Sequence, residues 1–183
     1  DFGLSKLTEA YNATAHTICG TPEYVAPEVL LGHPYGRAVD WWSVGTLLYE
    51  MIAGLPPFYD KNRKVMFNNI LSAKLQFNNL FSPSASALIS RLLIRDPSLR
   101  LGAGFADAEE VKMQPFFEGM DWAALERKEI PPPWKPKLMN ETDTSYFNKK
   151  YTYADIDEAT PPTDMMMDLP SFPGFTYEKT QST

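Results

Sequence analysis

The sequence predicts a mainly α-helical domain followed by an extended, proline-rich tail. Three segments, beginning near residues 40, 64 and 84, repeat apolar residues at the three- and four-residue spacing of a helix. No segment shows the strict alternation of a half-buried strand. From Pro131 onward, prolines recur often enough to exclude long helices and central strands. The chain is therefore expected to be helical first and extended afterwards.

The first long helix is expected to begin with Asp40 as its N-cap and to end at Gly54, before Pro56 and Pro57. Before it, residues 1–21 mix small and polar residues without periodicity, which predicts a loop. Apolar residues cover nearly the whole circumference of the helix, so we expect it to be buried on all sides. These residues are Trp41, Trp42, Val44, Leu47, Leu48, Met51 and Ile52.

Three further helices are predicted from periodicity and punctuation. The first covers residues 64–71, the second residues 84–94, and a short third helix covers residues 108–114 and ends before Pro115.

Composition limits the partners and the compartment. The net charge of −6 and the pI near 4.9 argue against nucleic acid or an anionic membrane as the main partner. The apolar stretch 41–58 is too interrupted to span a membrane. The single Cys19 and the lack of a signal peptide indicate a reducing compartment, the cytoplasm or also the nucleus. Because the sequence opens with Asp rather than Met, we expect a fragment.

Four motifs follow one another along the chain. The first tripeptide alone is weak, since it also occurs as an ordinary turn. The second motif follows it at the place where the kinase signature has Ala-Pro-Glu, which raises the specificity. The motifs are Asp1-Phe2-Gly3, Gly20-Thr21-Pro22-Glu23-Tyr24-Val25-Ala26-Pro27-Glu28, Asp40-Trp41-Trp42-Ser43-Val44-Gly45 and Arg95-Asp96-Pro97-Ser98-Leu99-Arg100-Leu101-Gly102.

With these motifs in this order, the chain resembles the AGC group of serine/threonine protein kinases over nearly all of its length. Within the group it is similar to protein kinase B and to the serum- and glucocorticoid-induced kinases. The resemblance implies an incomplete large (C-terminal) lobe of the protein-kinase-like fold. Residues 1–117 would hold the activation segment and the following helices, and residues 118–183 would be the C-terminal tail.

The resemblance implies ATP and Mg²⁺ as cofactors. Asp1 would hold Mg²⁺, since a carboxylate oxygen is a hard ligand that suits a hard cation. Phe2 would pack to set the position of Asp1, and Gly3 would permit the turn. In the tail, Phe147 would touch the adenine pocket, although Asn148 replaces the usual Asp and weakens this expectation.

Three threonines match phosphorylation sites of the group. Thr17 matches the activation-loop site, where a phosphate orders the loop by gathering basic side chains. Thr160, in a Thr-Pro-Pro turn, and Thr176, in an aromatic segment, resemble the two tail sites. The expected partners therefore include upstream activating kinases.

Two residues are expected to act on the protein substrate. Thr21 matches the threonine of serine/threonine kinases that bonds the catalytic Asp and Lys. Glu50 lies where basophilic members bind an arginine before the target residue, so the expected substrates carry basic residues before Ser or Thr. The alternative for Glu50 is a core carboxylate satisfied by a local arginine.

Besides Phe2 and Gly3, three residues are expected to be structural. Glu28 and Arg100 match the two ends of a buried ion pair that holds the substrate-docking loop on the lobe. Asp40 matches the helix-start aspartate that holds the backbone of the catalytic loop.

The sequence contains no Gly-rich phosphate loop, no strand lysine with its helix glutamate, and no His-Arg-Asp loop. We therefore expect the catalytic Asp to lie upstream, and this chain alone to be inactive although its parent is a serine/threonine kinase. The first alternative is a truncated, non-catalytic module that binds kinase regulators or substrates as a decoy. A second alternative is a degenerate lobe kept as a scaffold.

Overall fold

Helices account for almost all the regular structure in the computed structural model, which describes residues 14–17 and 19–154. Within these ranges no strand forms, and the single β-bridge joins Ala15 to Tyr35. The prediction of a mainly α-helical fold is therefore confirmed. The chain divides into two compact units, Asp1–Glu126 and Arg127–Thr183.

Among the described residues, six helices belong to the first unit and one to the second. They are α1 (Pro27–Leu30), α2 (Ala38–Ala53), α3 (Arg63–Ser72), α4 (Pro83–Leu92), α5 (Ala108–Lys112), α6 (Trp122–Glu126) and α7 (Lys149–Thr152), with 3₁₀ turns at Pro22–Tyr24 and Pro115–Phe117. Helices α2, α3, α4 and α5 were all predicted. Most of their predicted ends lie within about two residues of the observed ends, which is the usual uncertainty of a helix boundary. The single-turn helices α1, α6 and α7 are too short to show a period.

Local capping explains where two of the long helices begin. The Asn62 side chain accepts a hydrogen bond from the Lys64 amide at 3.0 Å at the start of α3. The Ser82 hydroxyl accepts from the Ala85 amide at 3.1 Å at the start of α4, where Pro83 supplies no amide of its own. Each cap satisfies an amide that the helix itself cannot pair.

The main core lies between α2, α3 and α4. Trp42 is fully buried and its ring stacks on Phe58 at a centroid distance of 5.9 Å, while Ile70 and Ile89 close the same cluster. Gly45 lets α2 and α4 approach closely, because a Cβ at this position would lie 2.8 Å from Leu92 Cβ. The close approach explains a glycine inside a helix, where it otherwise costs about 0.5–1 kcal/mol.

The prediction that α2 is buried on all sides is wrong. Val44, Leu47 and Met51 are exposed by 41%, 47% and 68%. They lie three and four residues apart and so share one face of the helix. Hydrophobicity identified the helix, but no neighbour in the described residues covers this face.

The predicted N-cap of α2 is also wrong. The helix begins at Ala38 with Arg37 in the cap position, so Asp40 lies inside the first turn. A carboxylate there still lies near the positive end of the helix dipole, which explains why the sequence pattern resembled a cap.

The second unit is extended in its proline-rich part and then turns back. The Trp134 and Tyr146 rings meet edge to face at 5.7 Å, and the Lys137 amide donates to the Tyr146 hydroxyl at 3.1 Å. Within the turn, Asp143 accepts hydrogen bonds from backbone amides, first that of Met139 at 2.8 Å, and these bonds hold the pKa of Asp143 below its usual value. The tail is thus extended over only part of its described length.

Across both units, no described helix combines the length and the apolar character that a membrane crossing requires.

Candidate functional site

A buried ion pair joins α1 to the loop after α4. Arg100 Nη1 donates to Glu28 Oε1 at 2.7 Å, and Nη2 donates to Oε2 at 2.9 Å. The side chains of Arg100 and Glu28 are 0% and 5% exposed. Arg100 donates further to the carbonyl oxygens of Ile94 at 2.9 Å, Ala38 at 2.7 Å and Arg95 at 3.2 Å. The structure therefore brings together the two residues expected to pair, with every nitrogen of the guanidinium engaged.

The surroundings of the ion pair favour arginine over lysine. The guanidinium of Arg100 lies over the Trp42 ring, 5.2 Å from its centroid, while its edge carries the five hydrogen bonds. A lysine has three donors and no planar fork, so it could not form this set. The pair fixes the start of α1 to the core that Trp42 occupies.

The segment before α1 is fastened to α2. Thr21 is exposed and occupies the cap position of the turn Pro22–Tyr24, where its carbonyl accepts from the Tyr24 amide at 3.0 Å. The Ser43 hydroxyl on α2 donates to the Tyr24 carbonyl at 3.1 Å. The exposed Thr21 side chain is thus carried on a backbone that is held in place.

Glu50, near the end of α2, is bonded to the same segment. The Tyr24 hydroxyl donates to Glu50 Oε2 across 26 positions of sequence. Glu50 is partly buried, and its bonded partner is a tyrosine rather than the local arginine of the alternative interpretation. The bond occupies one carboxylate oxygen and fixes the orientation of the other.

The hydrogen bond also affects the tyrosine. Bonding to Glu50 is the largest cause that raises the pKa of Tyr24, followed by burial and by the charges of Glu50 and Glu23. The phenol consequently stays protonated at neutral pH and remains a donor to the carboxylate.

Thr17 is exposed, and its main chain is bonded to a distant residue. The Tyr35 hydroxyl donates to the Thr17 carbonyl at 2.5 Å. The neighbouring residues His16 and Cys19 are exposed as well. The expected phosphoacceptor side chain is therefore accessible on a segment that is fixed through its backbone.

Asp40 lies on the first turn of α2, beside a loop that the sequence did not identify. Burial, followed by the nearby charge of Asp107, raises the pKa of Asp40. Asp107 accepts from Trp41 Nε1 at 2.8 Å and pairs with Arg37 at 3.7 Å. Asp107 and Trp41 fasten the loop before α5 to the beginning of α2.

Phe147, the expected contact with adenine, is 67% exposed in the second unit. Asn148, which departs from the family pattern, caps α7 by accepting from the Lys150 amide at 2.9 Å. Asn and Asp cap helices about equally well, so this function survives the substitution.

The other expected site residues lie outside the described ranges: Asp1, Phe2, Gly3, Thr160 and Thr176. Within residues 14–17 and 19–154, no group of three or more His, Cys, Asp or Glu side chains could hold a metal ion. The Mg²⁺ site expected at Asp1 therefore stays a prediction.

Tyr24 and Arg95, like Tyr35 and Asp107, have contacts that the sequence did not predict. Tyr24 stands in a recognised motif, but its bond to Glu50 spans 26 positions and could only be seen in the fold. Arg95 donates to the carbonyls of Ile70 at 2.7 Å and Asn69 at 3.2 Å, at the end of α3. The last carbonyls of a helix have no donor within the helix. This general need for outside donors was the only indication in the sequence that Arg95 could have a role.

Comparison with protein families matches residues 1–117 to the protein kinase domain. Among curated proteins, the chain is similar to the RAC serine/threonine-protein kinase of Drosophila melanogaster, with 43% identity over 182 residues, or 97% of this chain. It is 48% identical over 162 residues, or 88% of the chain, to serine/threonine-protein kinase akt-1 of Caenorhabditis elegans. It is 51% identical over 152 residues, or 83% of the chain, to serine/threonine-protein kinase gad8 of Schizosaccharomyces pombe.

The matched region is a minor part of each relative. The alignments cover 30% of the Drosophila protein, 30% of the Caenorhabditis protein and 26% of the Schizosaccharomyces protein. The chain therefore spans less than a third of the length of these relatives.

Proposed function

The chain belongs to the protein kinase family, in its AGC serine/threonine group, and on that premise we propose that its gene product transfers the γ-phosphate of ATP to Ser or Thr hydroxyls of proteins. The observation that carries the proposal is the match of residues 1–117 to the protein kinase domain. The three relatives are each named a serine/threonine kinase, which supports the same acceptor class.

In this proposal Glu50 binds an arginine that precedes the target residue of the substrate. The bond from Tyr24 supports this role, because it leaves one carboxylate oxygen and the negative charge for a guanidinium. Thr21, exposed on the fastened turn beside Tyr24, is proposed to contact the catalytic centre of the complete kinase. Substrates with basic residues before Ser or Thr would fit this arrangement.

Nucleotide binding is proposed for two residues that are far apart in the sequence. Asp1 would hold Mg²⁺ and Phe147 would lie against adenine; the exposure of Phe147 leaves its ring available for such a contact. Mg²⁺ supplies charge neutralisation for the phosphates during transfer. Phosphorylation of Thr17 by an upstream kinase, and of Thr160 and Thr176 in the tail, would regulate activity.

The 183 residues alone are proposed to be inactive. In the transfer, the substrate oxygen bonds to the γ-phosphorus as the bond to the ADP oxygen breaks, and a catalytic carboxylate takes the hydroxyl proton. The sequence contains no His-Arg-Asp loop to supply that carboxylate and no Gly-rich loop to cover the phosphates. The activity therefore belongs to the complete gene product.

Substituting Glu50→Gln in the complete gene product tests the substrate role. The amide still accepts the Tyr24 bond but has no charge for arginine, so kcat/KM for a Ser peptide with an upstream Arg should fall about 10- to 100-fold, mainly through KM. The same peptide with Ala in place of Arg should change less than twofold. Glu109→Gln, which removes an exposed carboxylate on α5, is the control variant. Equal losses on both peptides would refute the assignment.

A further inference from the structure

The segment that carries Thr17 is bonded to the chain ahead of α2. The Ala15 amide donates to the Tyr35 carbonyl at 2.8 Å, and the Tyr35 amide donates to the Ala15 carbonyl at 3.0 Å. The two residues form an antiparallel bridge, and Ala15 is only 8% exposed. Residue 15, two positions before Thr17, is therefore not accessible while the bridge is closed.

The Tyr35 side chain adds a third bond on the other side of the bridge. Its hydroxyl donates to the Thr17 carbonyl at 2.5 Å. Partial burial, with smaller contributions from Cys19 and Asp40, raises the pKa of Tyr35, so the phenol remains a protonated donor at neutral pH. One residue thus holds the segment through its backbone and through its side chain.

Tyr35 can act as an anchor because it is itself fixed. Its ring packs against the core cluster that contains Ala26, Val29 and Trp42. Two residues earlier, the His33 amide donates to the Glu28 carbonyl at 2.9 Å, and Glu28 is held by Arg100. The position of Tyr35 is therefore set by the same buried network that holds α1.

We propose that Tyr35 is a latch on Thr17: it holds residues 15–17 against the lobe, so that enzymes that add or remove phosphate act on Thr17 only after the segment opens. This inference rests on the proposed role of Thr17 as a phosphorylation site. A modifying enzyme must bind residues on either side of its target. Here the Thr17 side chain is exposed, but Ala15 is buried and the Thr17 carbonyl is already hydrogen-bonded to Tyr35. Because the segment opens before Thr17 is modified, the rate of modification follows the population of the open form.

Tyr35→Phe tests the latch because it keeps the packed ring and removes only the hydroxyl. In the full 183-residue chain, hydrogen exchange of the Ala15 amide should become about fivefold faster, as expected for the loss of one hydrogen bond. Exchange of the Leu92 amide in α4 should be unchanged, which distinguishes local opening from loss of stability. Tyr49→Phe is the matched control, since Tyr49 also donates to a backbone carbonyl, that of Gln76 at 2.9 Å. It should leave Ala15 exchange unchanged.

The second arm measures access to Thr17. In the full chain with phosphothreonine at position 17, a broad-specificity phosphatase should remove the phosphate about fivefold faster from the Tyr35→Phe variant than from the unsubstituted chain or the Tyr49→Phe variant. If the hydrogen-exchange rate of the Ala15 amide in the Tyr35→Phe variant stays within twofold of the rate in the unsubstituted chain, Tyr35 does not act as a latch. Faster exchange without faster dephosphorylation would overturn its control of Thr17. Neither arm requires kinase activity, so failure of the proposed function would be seen separately.

Discussion

Replacing Arg100 by leucine is expected to lower the free energy of unfolding by about 3–5 kcal/mol. The substitution leaves the Glu28 carboxylate buried without its partner, and it also removes donors from the carbonyls of Ile94, Ala38 and Arg95. A buried charge that loses its only counter-charge pays its full desolvation cost. Urea unfolding of the chain, followed by circular dichroism, measures the change.

The control for this prediction is a second arginine with a carboxylate partner. Arg91 pairs with Glu110 at 3.5 Å, but its side chain is 49% exposed, so Arg91→Leu should cost less than about 1 kcal/mol. The Glu28→Leu/Arg100→Leu double variant should lose about 1–3 kcal/mol less than the sum of the two single variants, because the second substitution removes a charge already left unpaired. Additive losses, or equal losses for Arg91 and Arg100, would show that the ion pair does not act as a unit.

Gly102→Ala is expected to cost about 2–5 kcal/mol, through two separate effects. Gly102 has a φ of +84°, which costs a residue with a Cβ about 1–2 kcal/mol. The new Cβ would also lie 2.5 Å from Trp41 Nε1, and overpacking typically costs about 1–3 kcal/mol. Relief of this clash would move Trp41 away from Asp107, to which its indole is bonded at 2.8 Å.

Gly32→Ala separates the two effects. Gly32 has a similar φ of +68°, but nothing lies within 4 Å of the position that a Cβ would take. This variant should therefore show the backbone cost alone, about 1–2 kcal/mol, in the same urea unfolding experiment. If the two alanine variants lose equal stability, the contact with Trp41 does not add to the cost of the Gly102→Ala substitution.

The helices that the sequence predicted are those whose periodicity extends over several turns. In α3 and α4 the apolar spacing extends over more than two turns, so both helices were found with nearly correct ends; the caps Asn62 and Ser82, which the sequence did not predict, explain where the helices begin. α1, with four residues, offers no period to detect. Burial of α2 was overestimated because the apolar count of a helix says nothing of whether a neighbour covers each face.

Long-range pairs were predicted only where a family pattern supplied them. Glu28 and Arg100 are separated by 72 positions, and no local rule links them. The bond from Tyr24 to Glu50 and the bridge from Ala15 to Tyr35 had no such guide and appeared only in the fold. Periodicity and capping act over a few residues, whereas these contacts depend on how α1 and α2 pack.

We propose that this chain belongs to an enzyme that phosphorylates Ser or Thr in basic contexts, and a peptide library can test this proposal. The complete gene product, incubated with labelled ATP, Mg²⁺ and peptides that carry Ser, Thr or Tyr, is expected to label Ser and Thr peptides with an upstream Arg. The purified 183-residue chain is expected to label none, because its sequence contains no His-Arg-Asp loop. Labelling of Tyr peptides, no preference for Arg, or transfer by the 183 residues alone would contradict the account.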